Sequence, residues 1–313
     1  MRQSFSIYSV LLAGMLSFLL FVSFHTTDEK NEKELTINTE SSTTSDLGLP
    51  QVIRTIEMNK VYTFAGEPVP AENFDAIERL DRELAVNSYY HSSTILNIKR
   101  ANRFFPIIER ILAEKGIPDD FKYLAVAESG LQNATSSAGA KGYWQFLKAV
   151  GQQYGLEING EIDERYHIEK STKAACKMLN DYHRKFGSWT LVAAAYNMGI
   201  GRLSRLKDTQ KANTYYELNV NEETSRYVFR IMAIKEILSN PTRFGFQIDA
   251  DQLYQPLNDY AVVEVKEPVE NWGDFAIKYG TNYRILKVYN PWLIDTNLTN
   301  SSRKTYEVRI PRI

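Results

Sequence analysis

Between residues 95 and 240 the apolar residues of this chain recur at helical intervals, and that spacing narrows the fold more than any other feature. Phe105, Ile108, Ile111 and Leu112 form one stripe, closed by Gly116. Pro118, Asp119 and Asp120 read as a helix start, with proline in the first turn and acids complementing the dipole. That helix runs through Tyr123, Leu124 and Ala127 to Glu128, and Ser129-Gly130 ends it. Ser136 to Gly142 is loop by its Gly, Ser and Ala content. Ser171 reads as an N-cap, followed by a core stripe of Ala175, Met178, Leu179, Tyr182 and Phe186. Cys176 borders that stripe and is most simply a small buried apolar residue. A short helix over Leu191 to Asn197 stops near Gly199, and a long one over Glu222 to Leu238 stops at Asn240-Pro241. The expected class is mainly α.

After Phe246 the pattern changes. Ala261 to Val265 and Tyr306 to Ile310 are strand-like, with a helix face of Trp272, Phe275, Ala276 and Tyr279 between them. A strand, helix, strand unit over 258–313 is a separate small α+β domain. Upstream of the helical domain, expected over 96–246, lies an N-terminal extension, 51–95. In it Ile77, Leu80 and Leu84 mark a helix reaching toward the main domain. Residues 28–50 are polar, with a Glu/Lys cluster and a Ser/Thr run, and read as a tether. Residues 1–27 hold Arg2 and then a run from Ile7 to Phe24 without a charge. Its 18 residues sit at the short limit for a membrane span and the long end for a signal sequence. A cleaved signal peptide and a retained anchor both stay open; either would export the rest of the chain to the periplasm or envelope.

Composition removes several function classes. The formal net charge is -1 over 313 residues, so the totals give no electrostatic case for nucleic acid. The single cysteine, Cys176, permits no intramolecular disulfide and lies too far downstream for a lipoprotein anchor. The four histidines, His25, His91, His167 and His183, show no ligand spacing, so no metal or other cofactor is expected. Chemistry falls to carboxylates, hydroxyls and amides. Glu128 follows Leu124 by four residues, sharing its inward face, and stands at a helix C-terminus where the dipole disfavours negative charge. Burial and dipole both raise a carboxyl pKa, as a general acid requires near neutrality. A solvated, inert helix-end glutamate is the competing reading from spacing alone.

Four segments, met in order, decide between those readings. Glu128-Ser129-Gly130 resembles the Glu-Ser pair of the lytic transglycosylase family. Ala138 to Phe146, Ala-Gly-Ala-Lys-Gly-Tyr-Trp-Gln-Phe, is similar to its second motif, and Ala195-Tyr196-Asn197-Met198-Gly199 to its third. Glu223-Thr224 with Tyr227-Val228 resembles the fourth. The Trp-Gln-Phe form and the C-terminal unit resemble the membrane-bound lytic murein transglycosylase D branch. The resemblance implies a lysozyme-like catalytic fold acting on peptidoglycan glycan strands. Glu128 would be sole acid/base, cleaving the MurNAc-GlcNAc bond to leave a 1,6-anhydro end. No second carboxyl would be needed, whereas a conventional hydrolase places two about 5 to 9 Å apart. Glu223, the one other acid in those motifs, reads as holding its helix or turn.

The same resemblance marks five residues as substrate-binding. Ser129 bonds substrate or the adjacent backbone. Gln145 holds a sugar or orients Glu128, or is a solvated turn residue; Tyr196 offers a hydroxyl to fix the carboxyl or is a core tyrosine with its hydroxyl satisfied; Asn197 bonds an N-acetyl group or caps its helix; and Tyr227 reaches the cleft or packs in the core. Tyr143 departs from the aliphatic residue usual there. The C-terminal unit resembles a LysM domain through Ala276-Ile-Lys-Tyr-Gly280, Leu286, Asn290-Pro291 and Ile310-Pro311. It departs at Glu267-Pro-Val269, where a Gly-Asp-Thr-like turn is usual. Trp272 and Tyr279 read as core rather than sugar platforms. Two other functions remain as alternatives: a lysozyme-type peptidoglycan hydrolase using water, and a non-enzymatic wall-binding protein.

Overall fold

The computed structural model describes residues 55–312; the expectations for 1–27 and 28–50 lie outside them. The described chain opens with a two-stranded hairpin, β1 (Thr63–Phe64) and β2 (Glu67–Pro68). Eight helices follow: α1 (Phe74–Tyr89), α2 (His91–Glu114), α3 (Phe121–Ser129), α4 (Lys148–Gln153), α5 (Ile168–Phe186), α6 (Trp189–Met198), α7 (Ile200–Gln210) and α8 (Glu222–Ser239). The last part is β3 (Tyr260–Val265), α9 (Trp272–Lys278), α10 (Tyr283–Tyr289) and β4 (Tyr306–Pro311). This is the mainly helical class with a small α+β C-terminal part. No helix among the described residues is long and apolar enough to cross a membrane.

Local chemistry sets the helix ends. Asn73 caps α1 by accepting from the Ala76 N–H at 3.1 Å, and Leu80 and Leu84 on its inner face are fully buried against the core. Asp120, at the start of α3, accepts from the Ala65 N–H at 2.6 Å and from Lys235 Nζ at 2.7 Å. One carboxylate thereby joins the hairpin, α3 and α8. Glu67, from the hairpin, reaches the first turn of α6, accepting from Thr190 N at 3.0 Å and Thr190 Oγ1 at 2.7 Å. An acid at that end also complements the dipole.

Two local expectations need correcting. Ser171 is not an N-cap: α5 starts at Ile168, one turn earlier, and Ser171 is buried inside it with its hydroxyl on the His167 carbonyl at 2.8 Å. Ile168 is apolar and buried, so packing carries the helix past the serine. In the C-terminal unit two helices, not one, separate the strands. Asn271 caps α9 and Asn282 caps α10, each accepting N–H groups of its own first turn.

β3 and β4 pair antiparallel, from Tyr260 opposite Pro311 to Val265 opposite Tyr306. Trp272 is fully buried there, as expected of a core residue, while Tyr279 is 36% exposed and belongs to the surface. The C-terminal unit packs directly on the helical part, in one compact body with it. Leu293 bridges Ile162, and the Asp163 N–H donates to the Trp292 carbonyl at 2.9 Å. Ile162 is fully buried within the apolar cluster of that unit. Charge follows the same seam: Lys304 and Tyr306 meet Glu157, Thr299 meets Glu161, and Arg309 meets Glu169. Burial alone would raise Glu169, but His167 and Arg309 outweigh it and hold the carboxyl at about 2.

Candidate active site

Glu128 occupies the last turn of α3, a helix whose residues Phe121 to Val126 are all buried. Gly130 closes that helix in the left-handed region, φ +59°, its N–H on the Val126 carbonyl at 2.8 Å. A Cβ at Gly130 would lie 2.9 Å from Asn97 Oδ1, so both conformation and space call for glycine. The sharp stop leaves the Glu128 side chain partly exposed at the edge of the core.

Burial pushes the Glu128 carboxyl up to about 7. A hydrogen bond from Tyr227 opposes that rise, the charge of Glu223 adds to it, and Arg230 lowers it. The Tyr227 hydroxyl donates to Glu128 Oε1 from α8 and is itself buried, 2% exposed. The carboxyl is thus half protonated near neutrality and carries a phenol poised to stabilise its ionised form.

The other expected residues divide. Tyr196 does not hold the acid: its hydroxyl donates to the Trp144 carbonyl at 2.6 Å, fixing the second motif. That role falls to Tyr227 because α8, not α6, presents its ring to Glu128. Ser129 is buried and donates to the backbone at Ala125 (3.1 Å) and Tyr143 (2.8 Å), so of its two expected roles the backbone one is observed. Gln145 sits at φ +49° and donates to the carbonyls of Ala134 and Gly142 at 3.1 and 2.8 Å. It therefore shapes its loop, and its bonds go to backbone rather than to Glu128. Asn197 neither caps its helix, which Gly199 ends, nor stands free. It donates to Glu223 at 3.1 Å and accepts from Thr224 at 2.7 Å, joining α6 to α8.

Sequence reasoning passed over the pair that anchors the second motif. Arg165 is 4% exposed and forms a double hydrogen bond with Asp163, at 2.9 and 2.7 Å. Its remaining nitrogen reaches the Phe146 carbonyl at 3.2 Å and the Gly139 carbonyl at 3.3 Å. Gly142 passes so close that a Cβ would lie 2.0 Å from the Arg165 carbonyl. An Asp-x-Arg in a turn is too common a pattern to have announced this. Trp144 completes the anchoring by donating to Thr172 at 2.9 Å. Among the described residues no cluster of three or more His, Cys, Asp or Glu could hold a metal ion.

A cavity of about 470 Å³ lies on the seam with the C-terminal unit, walled by Phe104, Tyr143, Glu169, Lys287 and Trp292 among others. Glu128 is not among its walls, so it is a space separate from the acid.

Residues 105–219 match the transglycosylase SLT domain family, and 261–313 match the soluble lytic transglycosylase C-terminal LysM-like domain. Two proteins named membrane-bound lytic murein transglycosylase D, from Escherichia coli strain K12 and from an O6:H1 strain, are each 31% identical over 225 residues. That stretch is 70% of this chain and 48% of theirs, so the chain spans about half the length of these curated relatives. The X-ray structure of an inactive mutant of lytic transglycosylase Slt from Pseudomonas aeruginosa overlaps with a TM-score of 0.37 at 22% identity, covering 48% of this chain and 26% of that one. Glu128, the loop around Gln145 and the Tyr196-Asn197 turn all lie inside the segment that matches the transglycosylase SLT domain, and the C-terminal unit is the segment that matches the LysM-like domain.

Proposed function

We propose that this chain cleaves the β-1,4 bond between N-acetylmuramic acid and N-acetylglucosamine in peptidoglycan, with Glu128 as the only general acid/base. The reading rests on one observation above all. Glu128 is held by burial near a pKa of about 7 while Tyr227 donates to its Oε1. The protonated carboxyl gives its proton to the bridging oxygen as the C1–O bond breaks, and the N-acetylglucosamine 4-hydroxyl leaves. Tyr227 then stabilises the new carboxylate. That carboxylate takes the proton of the muramic C6 hydroxyl as O6 bonds C1, closing the 1,6-anhydro ring. Glu128 ends protonated, as it began, and no water is consumed.

Within this proposal residues 96–246 form the catalytic domain and 258–313 a glycan-facing module. The uncharged run from Ile7 to Phe24 exports the chain or anchors it in the envelope. Ser129, Gln145, Tyr196 and Asn197 shape the site rather than touch the reacting bond, as their backbone and interhelix bonds suggest. Mass spectrometry of digested sacculi tests the chemistry. Anhydro-muropeptides are expected from the wild type and are to be lost in Glu128→Gln. Products with a hydrated reducing muramic acid would assign the chain to the hydrolases, and an inert wild type would leave it a binding protein.

A further inference from the structure

Helix α1 precedes the matched segment, yet it delivers a buried carboxylate to α8, the helix whose Tyr227 reaches the acid on α3. Glu83 is 0% exposed. Its Oε1 accepts from Arg226 Nε at 2.6 Å and from Arg82 Nη1 at 2.6 Å, and its Oε2 faces Arg230 Nε at 3.7 Å. That Oε2 is buried without a hydrogen bond, so it meets Arg230 through charge alone. Along α8, Glu223, Tyr227 and Arg230 follow at i, i+4 and i+7 and share the face toward Glu128. Arg226 and Arg230, at i and i+4, share the face toward α1.

Arg230 therefore pairs with Glu83 while its charge also acts on the acid. A guanidinium stays charged at any working pH, so only its placement controls its effect on Glu128. A cation committed to Glu128 would favour the ionised form and drain the proton the reaction begins with. Stability alone is a poor reason for such a cluster, since buried ion pairs are commonly replaceable by apolar residues. The other groups around Glu128 are already engaged: Tyr196 with the Trp144 carbonyl, and Glu223 with Asn197. Around Glu83, beyond the three arginines, the charge also acts on Tyr215.

We propose that Glu83 is a positioning residue for the reaction, holding Arg226 and Arg230 toward α1 so that the Arg230 guanidinium stays off Glu128 while α8 keeps the register at which Tyr227 reaches it. This rests on Glu128 being the acid. The test is the pH dependence of kcat/KM on purified sacculi for the full chain, with folding of each variant checked by circular dichroism. Glu83→Gln frees Arg230 toward the acid and moves the alkaline limb down by about half a unit to one unit. Arg230→Gln moves it up by a similar amount, and in that background Glu83→Gln adds nothing. A role in packing alone would lower the rate without displacing the limb in opposite directions. Limbs that stay in place, move together, or shift fully with Glu83→Gln after Arg230 is gone overturn the proposal. Should Glu83→Gln not fold, Arg230→Gln decides by itself, an unmoved limb overturning it. Full activity in Glu128→Gln would instead remove the underlying assignment, whereas an inactive Glu128→Gln with unmoved limbs removes only this one.

Discussion

Replacing Glu128 by glutamine should stabilise the protein above neutral pH while sharply slowing the proposed cleavage. Burial raises the Glu128 carboxyl from 4.5 to about 7. Between those values the folded protein binds more protons here than the unfolded chain does, so wild-type stability falls as pH climbs through that window. The displacement corresponds to about 3 kcal/mol, at 1.36 kcal/mol for each unit. Glutamine keeps the shape, still accepts from Tyr227, and never acquires the charge. Wild type and variant should therefore match near pH 4, diverge between pH 5 and 7, and differ by up to about 3 kcal/mol at pH 8. For a domain of this size that is roughly 5–10 °C in melting temperature. Denaturant titrations across this range give the difference, and sacculus digestion gives the activity, expected to fall by about 10²–10⁴. A stability difference that does not change with pH would show that the carboxyl is not desolvated as argued, even if activity were lost.

Other outcomes follow from the same geometry. Tyr227→Phe removes the donor that favours ionised Glu128, so the alkaline limb of the pH-rate profile should move up by about one unit, with a lower rate; an unmoved limb would mean the phenol does not act on the acid. Gly142→Ala places a methyl 2.0 Å from the Arg165 carbonyl at φ +79° and should cost about 3 kcal/mol or more in urea unfolding. Arg165→Met leaves Asp163 buried without its partner and should cost about 3–5 kcal/mol, with faster proteolysis between Ala138 and Phe146. Retention of wild-type stability in either would show that the second motif is held from elsewhere.

The helical periodicity, the Gly130 stop and the strands at 260 and 306 were legible because each is a local pattern with a local cause. The inward face and helix end of Glu128 pointed toward a raised pKa, but that spacing fits a solvated glutamate equally, and only the family resemblance singled it out. The partners were not legible. Tyr196 and Tyr227 offer the same hydroxyl, and only the packing of α8 against α3 decides which one meets the acid. Ser171 had the chemistry of a cap but lay one turn inside its helix, where the burial of Ile168 prevailed. Arg165 and Asp163 carried no periodic signal, because Arg165 binds carbonyls 19 and 26 positions away while Asp163 holds the guanidinium in place. Glu83 was hidden in the same way: its partners lie 143 and 147 positions away on α8.

The union of the two family segments has a practical corollary. Glu157, Glu161 and Glu169 form an acidic ledge on the helical part, and Lys304, Thr299 and Arg309 are its matching teeth. Cutting the chain near residue 258 would bare Ile162, strand the ledge in water and unseat the His167 ring now stacked on Trp292. The C-terminal module is no bead on a string to be clipped away or swapped, and any foreign replacement would have to bring a complementary set of bases and hydroxyls.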